Sequence, residues 1–475
     1  MSELLSRLID VCGSDRVSDK IADRICYTRD CGPSPGGIPD YIVQPRSAEE
    51  VSGIIEIANE HCVPIFIWGR STTFIGNGIR KGCILMAMNL MDEIEKVDLE
   101  NKVVIVQPGA VWHSVDVELN KLGWELGVPG PGGMFSCSIG GSVAYNAVPH
   151  ALAEYGMTGE HVIGLEVVLP DGTIINTGSG ANEPAGHVHF ERYANGPDLT
   201  GLFIGSCGVL GAITKIAFRI RRVPEVEEFA FYGFDSYEQA VDAAHAIQRQ
   251  DVATHLVGLF GGPKPVGYEQ HDAFLHIIVR DSRPAARERR RVAGAICESF
   301  NGHPLDDNAT RLYWTGHMYS WLRNYPPDHY YGNRPFMCPE VAGFMPTEKV
   351  KDAIAYLRHN EVEYAKEFEQ HEIRVKCYDV YFSNNAAFIW IDTLYPELDD
   401  EAWKYGLALR SRYTDELCRR YMSPGGILQA IAPQVMTKLG PGFELIKLLK
   451  QSMDPNYILN PGVLYLEQEV NDAYL

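Results

Sequence analysis

Two segments rich in glycine and other small residues, 63–87 and 128–147, constrain this chain most strongly. The first reads V-P-I-F-I-W-G-R-S-T-T-F-I-G-N-G-I-R-K-G-C-I-L-M-A, which predicts a buried strand, a loop of small residues and a second strand. The second reads V-P-G-P-G-G-M-F-S-C-S-I-G-G-S-V-A-Y-N-A. Glycine lets backbone N–H groups approach a pyrophosphate closely. Two such loops in one domain predict a dinucleotide that is bound from two sides.

Length and charge limit what the rest of the chain does. A chain of 475 residues is suited to two or three domains. The net charge of −20 disfavours nucleic acid and anionic membranes as partners, because both are polyanions. A basic protein partner stays open, although solvation alone accounts for most acidic surfaces.

The cysteines and the first residues of the chain indicate a reducing compartment. Eleven cysteines are scattered without a C-x-x-C pair, and Cys26 and Cys31 have no second pair at a suitable distance. We therefore expect no iron–sulfur cluster or zinc site within the chain. Residues 1–10 predict an amphipathic helix, and no apolar run reaches the length of a membrane span. The expected location is the cytoplasm.

Periodicity predicts an α+β protein in which a first unit is followed by a second and then resumed. Ser47 and Glu50 predict the start of a helix over 47–62, and strands are predicted at 64–68, 83–88, 103–107 and 213–220. Alternating strands and helices after Pro224 predict a second unit, in which the aromatic stretch 311–346 is expected to be irregular. The predicted domains are 1–224, 225–424 and 425–475, the last returning to the first.

Ordered motifs over 40–225 and 443–462 resemble the vanillyl-alcohol oxidase / p-cresol methylhydroxylase family of flavoproteins. The general likeness is to the glycolate oxidase and D-lactate dehydrogenase type. The motifs are P-R-S-A-E-E-V at 45–51, G-R-S-T-T at 69–73, V-Q-P-G-A at 106–110, I-G-G-S-V-A-Y-N-A at 139–147, G-L-E-V-V-L-P-D-G at 164–172, G-S-C-G-V-L-G-A-I-T at 205–214 and D-P-N-Y-I-L-N-P-G at 454–462. So many matches in one order are far more specific than a single glycine-rich loop.

The resemblance implies FAD, an FAD-binding domain of two subdomains that the chain interrupts, and an α+β cap domain with an antiparallel sheet. It implies that the residues from Gly69 to Thr73 hold the pyrophosphate and that Asn460 closes over the flavin. Residues lying along the flavin would be Ser138, Gly140, Gly141, Ala144 and Asn146. Those lining the adenine and ribose side would be Gly205, Gly208 and Ile213. The cofactor-binding residues are Gly69, Arg70, Ser71, Thr72, Thr73, Pro131, Ser138, Gly140, Gly141, Ala144, Asn146, Gly205, Gly208, Ile213 and Asn460.

The chain departs from this family where other members bind a metal or phenolate. Metal-using 2-hydroxy-acid dehydrogenases of the family carry a segment like G-H-x-G-D-G-N-x-H, whereas residues 378–388 read Y-D-V-Y-F-S-N-N-A-A-F. Neither their later G-E-H-G nor the Tyr-Arg pair of the phenol-oxidising branch is found near 421–436. We therefore expect no catalytic metal. The first loop also lacks a histidine for covalent flavin attachment, which favours non-covalent FAD.

The aromatic and basic stretch after residue 311 offers acid–base groups, although it also fits an ordinary loop packed by aromatic residues. His317 and His329 are candidate bases, and Arg323 and Arg334 are candidates to clamp a carboxylate. Asp379 and Tyr381 share one face of a strand, and Tyr381 is a further acid–base candidate. Cys207 stands where relatives often have Glu, and an inert buried thiol is the favoured interpretation.

Three functions stay open at this stage. The favoured one is an FAD-dependent oxidoreductase that takes a hydride from a small-molecule substrate, either an alcohol or a 2-hydroxy acid, aromatic ones included. Its electrons would pass to a separate iron–sulfur or electron-transfer flavoprotein partner, and we expect an oligomer. The first alternative is a flavin electron-relay subunit of a larger redox complex. The second resembles the ether-lipid synthase branch, which forms a covalent substrate–flavin adduct.

Overall fold

The chain divides into two compact units, each built from separate stretches of sequence. The computed structural model of the protein describes residues 2–28, 30, 36–73, 79–131, 133–193, 196–319, 330–331, 334–337, 341–396, 398–424 and 432–467. The first unit comprises Met1–Val148, Met157–Arg222 and Leu428–Leu475, and the second comprises Pro149–Gly156 and Val223–Ile427. Among the described residues, no helix is both long and apolar enough to span a membrane.

The first unit contains two sheets. A four-stranded sheet has the order β1-β2-β4-β3, in which β2, β4 and β3 run parallel. A six-stranded antiparallel sheet has the order β5-β6-β10-β8-β9, and β7 also pairs with β10. The strands are β1 (Val17–Ser18), β2 (Tyr41–Val43), β3 (Ile65–Trp68), β4 (Ile84–Ala87), β5 (Ile94–Asp98), β6 (Val103–Val106), β7 (Trp124–Leu126), β8 (Val162–Val168), β9 (Ile174–Asn176) and β10 (Ala212–Arg222).

The helices of the first unit, numbered along the whole chain, follow local signals in the sequence. Ser47 Oγ accepts a hydrogen bond from the Glu50 amide at the start of α3, as expected for an N-cap residue, and the Glu50 carboxylate accepts one from the Arg46 amide, which precedes the N-cap. The α-helices are α1 (Glu3–Cys12), α2 (Ile21–Arg24), α3 (Ala48–His61), α4 (Trp112–Asn120), α5 (Ile139–Tyr145), α7 (Leu199–Phe203), α14 (Ala432–Met436) and α15 (Pro441–Met453).

The second unit is built on one ten-stranded antiparallel sheet, called the cap sheet below. Its order is β14-β11-β13-β12-β18-β19-β16-β15; in addition, β17 pairs with β19, and β20 pairs with β17. The strands are β11 (Val226–Phe234), β12 (His255–Leu259), β13 (Ala273–Asp281), β14 (His303–Pro304), β15 (Tyr330–Tyr331), β16 (Arg334–Met337), β17 (Val341–Met345), β18 (Arg374–Phe382), β19 (Ala387–Pro396) and β20 (Ser423–Pro424). The helices are α6 (Leu152–Tyr155), α8 (Tyr237–Gln248), α9 (Arg283–Ser299), α10 (Asn308–Tyr319), α11 (Val350–Glu363), α12 (Ala365–Gln370) and α13 (Asp400–Arg420).

The two faces of the cap sheet differ in chemistry because side chains alternate along each strand. On β18, Tyr378, Val380 and Phe382 join the large hydrophobic core that α8, α9, α11 and α13 cover. The intervening Asp379 and Tyr381 lie on the opposite face, which we call the polar face. The α+β class and the antiparallel cap predicted from the sequence are therefore both present.

Two stretches differ from the expectations drawn from the sequence. Residues 149–156 belong to the second unit, because the Ala151 amide donates to His255 Nδ1 over 3.0 Å and Glu154 pairs with Arg289 at 2.9 Å. The stretch 311–346, expected to be irregular, begins within α10 and ends in β17, so that prediction is wrong there. Thr310 and Trp314 are buried at helical spacing, so the aromatic residues of this stretch belong partly to a packed helix.

A buried ion pair fixes the C-terminal return to the first unit. Lys450 and Asp454 are both fully buried, and Lys450 Nζ donates to Asp454 Oδ2 (2.6 Å), Leu459 O (2.7 Å) and Val209 O (2.9 Å). The Asp454 carboxylate also accepts from the Ile458 and Leu459 amides, so every charge is compensated. Burial lowers the pKa of Lys450, and the adjacent carboxylate opposes this shift.

We predict that Lys450→Met destabilises the protein by about 3 kcal/mol, because it leaves a buried carboxylate without its cation. Urea unfolding of both proteins measures the change. The matched control is Lys447→Met on the same helix, whose ion pair with Glu444 is solvent-accessible; its loss is expected to cost less than about 1 kcal/mol. Equal losses in the two variants would contradict this account.

Candidate functional site

The first predicted loop begins where β3 ends, at Gly69. A Cβ atom at Gly69 would lie 2.7 Å from Ser138 Oγ, so only glycine allows this loop to approach the second glycine-rich segment so closely. Ser71 has a φ of +56°, a conformation that turns the backbone sharply within the loop. The adjacent exposed Arg70 donates to Gly109 O over 3.3 Å. Thr72 and Thr73 follow and are partly exposed.

The second loop ends in the short helix α5, whose first turn depends on Ser138 and two glycines. Ser138 Oγ accepts a hydrogen bond from the Gly141 amide (3.3 Å). A Cβ at Gly140 would lie 2.7 Å from Pro108 O, which again leaves room only for glycine. Gly141 is exposed. Earlier in the same segment, Pro131 accepts from the Met134 amide and is partly exposed.

The third loop, 205–208, packs against the C-terminal end of α5. The Gly205 amide donates to Val143 O (3.2 Å), and the Cys207 amide donates to Ala144 O (2.8 Å). Gly205 and Gly208 have φ values of +73° and +74°, which glycine adopts without strain.

Asn146 and Ile213 take structural places beside these loops. Asn146 ends α5 in the left-handed conformation, and its Oδ1 accepts from the Gly159 amide at 2.9 Å. Ile213 lies in β10 opposite Val167 and is buried. Its side chain therefore contributes to packing at this edge of the site.

Asn460 joins β3, the strand that leads into the first loop, to the third loop. Its Oδ1 accepts from the Ile67 amide (2.8 Å), its backbone amide donates to Ile65 O (2.9 Å), and its Nδ2 donates to Cys207 O (2.6 Å). The side chain is 7% exposed and so uses its amide for the protein. A Cβ at Gly208 would lie 2.7 Å from Asn460 Nδ2, which explains the glycine there.

These contacts form a cradle of backbone amides and hydroxyls, which is the chemistry that a pyrophosphate requires. Three glycine-rich loops from distant parts of the chain are brought together within the first unit, and a Cβ would collide at Gly69, Gly140 and Gly208. Backbone amides and hydroxyls in such a cradle neutralise phosphate without lysine. Packing raises the pKa of the Cys207 thiol to about 12, so it stays protonated at neutral pH, as expected for an inert thiol.

The polar face of the cap sheet holds a second group of predicted residues. Tyr381 Oη and Tyr313 Oη lie 3.3 Å apart, and burial raises the pKa of both phenols well above 10. Asp379 is 6% exposed, and its Oδ1 accepts no hydrogen bond from the described residues. Burial, reinforced by the nearby Asp392, raises the pKa of Asp379 to about 7.

Histidines that the sequence analysis did not single out lie on the same face. The His255 ring is 5.7 Å from that of Tyr381 and 5.8 Å from that of His150, and Trp314 contacts both imidazoles. Because the Ala151 amide donates to His255 Nδ1, the ring proton of neutral His255 resides on Nε2. Burial lowers the pKa of His276, a neighbour of Tyr313, to about 3. Only the pairing of distant strands brings these residues together.

The other catalytic candidates lie wholly or partly outside the described residues. His329 and Arg323 are outside them. The backbone of His317 lies in α10 and that of Arg334 in β16, but their side chains are not among those described. Their proposed roles stay predictions.

Comparisons of the sequence identify an FAD-binding domain. An FAD-binding domain family matches residues 39–178. The mitochondrial D-lactate dehydrogenase (cytochrome) of Arabidopsis thaliana is 37% identical over 228 residues, which are 47% of this chain and 37% of the relative. The glycolate oxidase subunit GlcD of Bacillus subtilis is 32% identical over 247 residues, 52% of this chain and 50% of the relative. Each alignment thus spans half or less of the relative's own length.

Comparisons of the structure cover almost the whole chain. A substrate-bound p-cresol methylhydroxylase superposes with a TM-score of 0.82 at 17% identity, over 99% of this chain and 97% of the other. The 4-ethylphenol oxidase of Gulosibacter chungangensis superposes with a TM-score of 0.79 at 15% identity, over 98% of this chain and 97% of the other. An alkyldihydroxyacetonephosphate synthase superposes with a TM-score of 0.72 at 18% identity, over 97% of this chain and 86% of the other. The resemblance is therefore confirmed: the chain contains an FAD-binding domain and has the fold of the vanillyl-alcohol oxidase type.

We predict that Gly69→Ala weakens FAD binding at least tenfold, because the added methyl group displaces Ser138 Oγ from its cap on Gly141. Fluorescence titration of the apoprotein with FAD measures the affinity. Gly442→Ala is the control, since nothing lies within 4 Å of a Cβ there, and its FAD affinity is expected to equal that of the wild type. Unchanged binding by Gly69→Ala would show that the two loops do not jointly hold the cofactor.

We also predict that Asp379 makes stability depend on pH. A carboxyl whose pKa is about 7 when folded and 3.8 when unfolded binds more protons in the folded state, so its contribution to stability falls as pH rises from about 4 to about 7. The total loss is about 4 kcal/mol at 1.4 kcal/mol per pKa unit.

Urea unfolding at a series of pH values tests this dependence. The free energy of unfolding of Asp379→Asn, relative to that of the wild type, should increase as the pH rises from about 4 to about 7. Above pH 7 the difference between the two proteins should stay constant. Asp98→Asn is the control: the pKa of Asp98 is lowered to about 2, chiefly by the hydrogen bond from the Asn101 amide, so its difference should be constant from pH 5 to 9. A constant difference for Asp379→Asn as well would refute the raised pKa.

Proposed function

We propose that the protein is an FAD-dependent dehydrogenase or oxidase acting on CH–OH donors, such as a small alcohol or 2-hydroxy acid, aromatic ones included. The observation that carries the proposal is that one chain combines an FAD-binding domain with a buried carboxyl, Asp379, whose Oδ1 accepts no hydrogen bond from the described residues and whose pKa burial raises. The names of the curated relatives, which act on D-lactate or glycolate, support this donor class. Bound FAD would accept a hydride at N5, and the protein has to supply binding, orientation and a base.

Asp379 is the base in this proposal. A general base works best when its pKa lies near the working pH, and burial brings Asp379 to that range. Its Oδ1, which accepts no hydrogen bond from the described residues, is free to take the proton of a substrate hydroxyl. The histidines proposed from the sequence, His317 and His329, stay alternatives for this role.

Tyr381 and Tyr313 act as hydrogen-bond donors rather than bases. Both phenols keep their protons at neutral pH because their pKa values are raised well above 10. A protonated phenol beside Asp379 on the same face is suited to hold the substrate oxygen while the carboxylate takes its proton. Arg323 and Arg334 stay our candidates for clamping a substrate carboxylate.

We propose that this chemistry proceeds without a catalytic metal at the position of the family's metal motif. Asp392, which faces the same side as Asp379, already accepts from Trp390 Nε1 (2.8 Å) and lies 3.6 Å from Lys376 Nζ. An ammonium group next to this carboxylate disfavours a divalent cation there. We further propose non-covalent FAD, an iron–sulfur or electron-transfer flavoprotein as acceptor, an oligomeric assembly and a cytoplasmic location.

Anaerobic reduction of the bound flavin by a panel of hydroxy acids and alcohols tests the proposal. We expect one donor class to bleach the flavin, and Asp379→Asn to slow that reduction by a factor of about 10² or more. In the wild type the rate should rise with pH and level off above about 7. Tyr381→Phe should slow the reaction as well.

The matched control is Tyr378→Phe, since Tyr378 lies on the same strand but faces the hydrophobic core. Its rate is expected to equal that of the wild type. If no donor bleaches a bound flavin that dithionite reduces, the protein is instead the electron-relay subunit of a larger redox complex. A substrate–flavin adduct found by mass spectrometry would replace both with the ether-lipid synthase type of chemistry.

A further inference from the structure

Asp235, His271 and His303 converge at one end of the cap sheet. Asp235 directly follows β11, His271 lies two residues before β13, and His303 begins the short edge strand β14. One ligand atom from each lies within 4.8 Å of the others. These residues are far apart in the sequence, and the pairing of β11 with both β13 and β14 brings them together.

The local backbone is shaped to hold the His271 ring in this place. Gly233 on β11 pairs with His303, and a Cβ at Gly233 would lie 2.6 Å from His271 Cδ2. The ring therefore occupies the space that a side chain at position 233 would fill. The Asp272 amide donates to Phe234 O over 2.7 Å and fixes the approach to β13.

The contacts within the cluster are not those of an ordinary hydrogen-bonded group. Asp235 Oδ1 lies 3.6 Å from His271 Nδ1 and 3.6 Å from His303 Nε2. Both distances exceed that of a hydrogen bond. His271 is 6% exposed, and its Nδ1 has no hydrogen-bond partner among the described residues. A buried ring nitrogen without a hydrogen-bond partner is destabilising unless a ligand satisfies it.

We propose that Asp235, His271 and His303 form a Zn²⁺ site with a fourth position for water. Two imidazoles and a carboxylate are ligands that zinc prefers. A tetrahedral zinc ion with bonds of about 2.0–2.1 Å separates its ligand atoms by about 3.3 Å, which is near the two 3.6 Å separations of Asp235 Oδ1 from the imidazole nitrogens. The ion would also satisfy His271 Nδ1.

The scattered cysteines led us to expect no zinc site in this chain. The site proposed here uses a carboxylate and two imidazoles instead of cysteines. It is independent of the proposed flavin chemistry, because its residues lie at the end of β11 and not in the β18–β19 region of the family's metal motif. The neighbouring Asp272 is not a further ligand, since Arg358 holds its carboxylate at 2.9–3.0 Å.

Isothermal titration calorimetry of the FAD-loaded protein with zinc chloride, after chelator treatment, tests the proposal. We expect one zinc ion per chain at this site, and at least tenfold weaker binding in Asp235→Asn and in His303→Ala. Both residues are exposed, so the variants should fold; equal melting temperatures in chelator would confirm this. Excess Mg²⁺ should not compete, because it prefers oxygen ligands.

The matched control is His359→Ala. It removes an exposed histidine whose Nε2 lies 3.4 Å from the carboxylate of Glu363. The zinc affinity of His359→Ala should equal that of the wild type. Zinc should raise the melting temperature of the wild type and of His359→Ala, but not that of His303→Ala. Free cysteines elsewhere are common to all the variants, so their zinc binding cancels in the comparison. Equal zinc binding by the wild type and His303→Ala would overturn the proposal.

Discussion

The cofactor-binding half of this protein depends on the return of the C-terminal segment to the parallel sheet. Asn460 hydrogen-bonds to the backbone of β3 on one side and to Cys207 O on the other, so it joins loops that lie far apart in the sequence. Behind it, the buried Lys450–Asp454 pair closes the segment from 450 to 459 on itself and on Val209. Together they tie β3, the strand that leads into the first loop, to the third loop and to Val209. The second loop then packs against both, through Ser138 beside Gly69 and through the end of α5 beside Cys207.

The second unit uses one sheet for two purposes. Its apolar face supplies the free energy of folding through helices packed on alternate residues such as Val380 and Phe382. The polar face buries Asp379 and a pair of phenols, groups that cost free energy to remove from water. Keeping a carboxyl with a raised pKa is a local loss of stability, and such groups cluster at functional sites. This contrast is the strongest physical reason to place acid–base chemistry on that face.

The sequence predicted those parts of the molecule that local signals determine. The N-cap at Ser47 is such a local signal. The glycines at 69, 140 and 208 could be identified from the glycine-rich motifs, although the atoms that exclude a side chain there belong to the distant residues Ser138, Pro108 and Asn460. Asp379 and Tyr381 were correctly placed on one face by strand alternation. Lys450, His255 and the cluster around His271 were missed, because their environments arise only when distant strands and loops pair. The aromatic stretch after residue 311 was misjudged as irregular where α10 forms, since its aromatic content obscured the helical spacing of Thr310 and Trp314.

The central claim is that three loops of the first unit, held by Asn460, bind FAD without a covalent bond. The most direct measurement is the flavin content of the purified protein before and after acid precipitation. The account predicts one FAD per chain in the native protein and all of it in the supernatant after precipitation. A protein that neither contains nor takes up FAD, or flavin that stays with the precipitated chain, would contradict it.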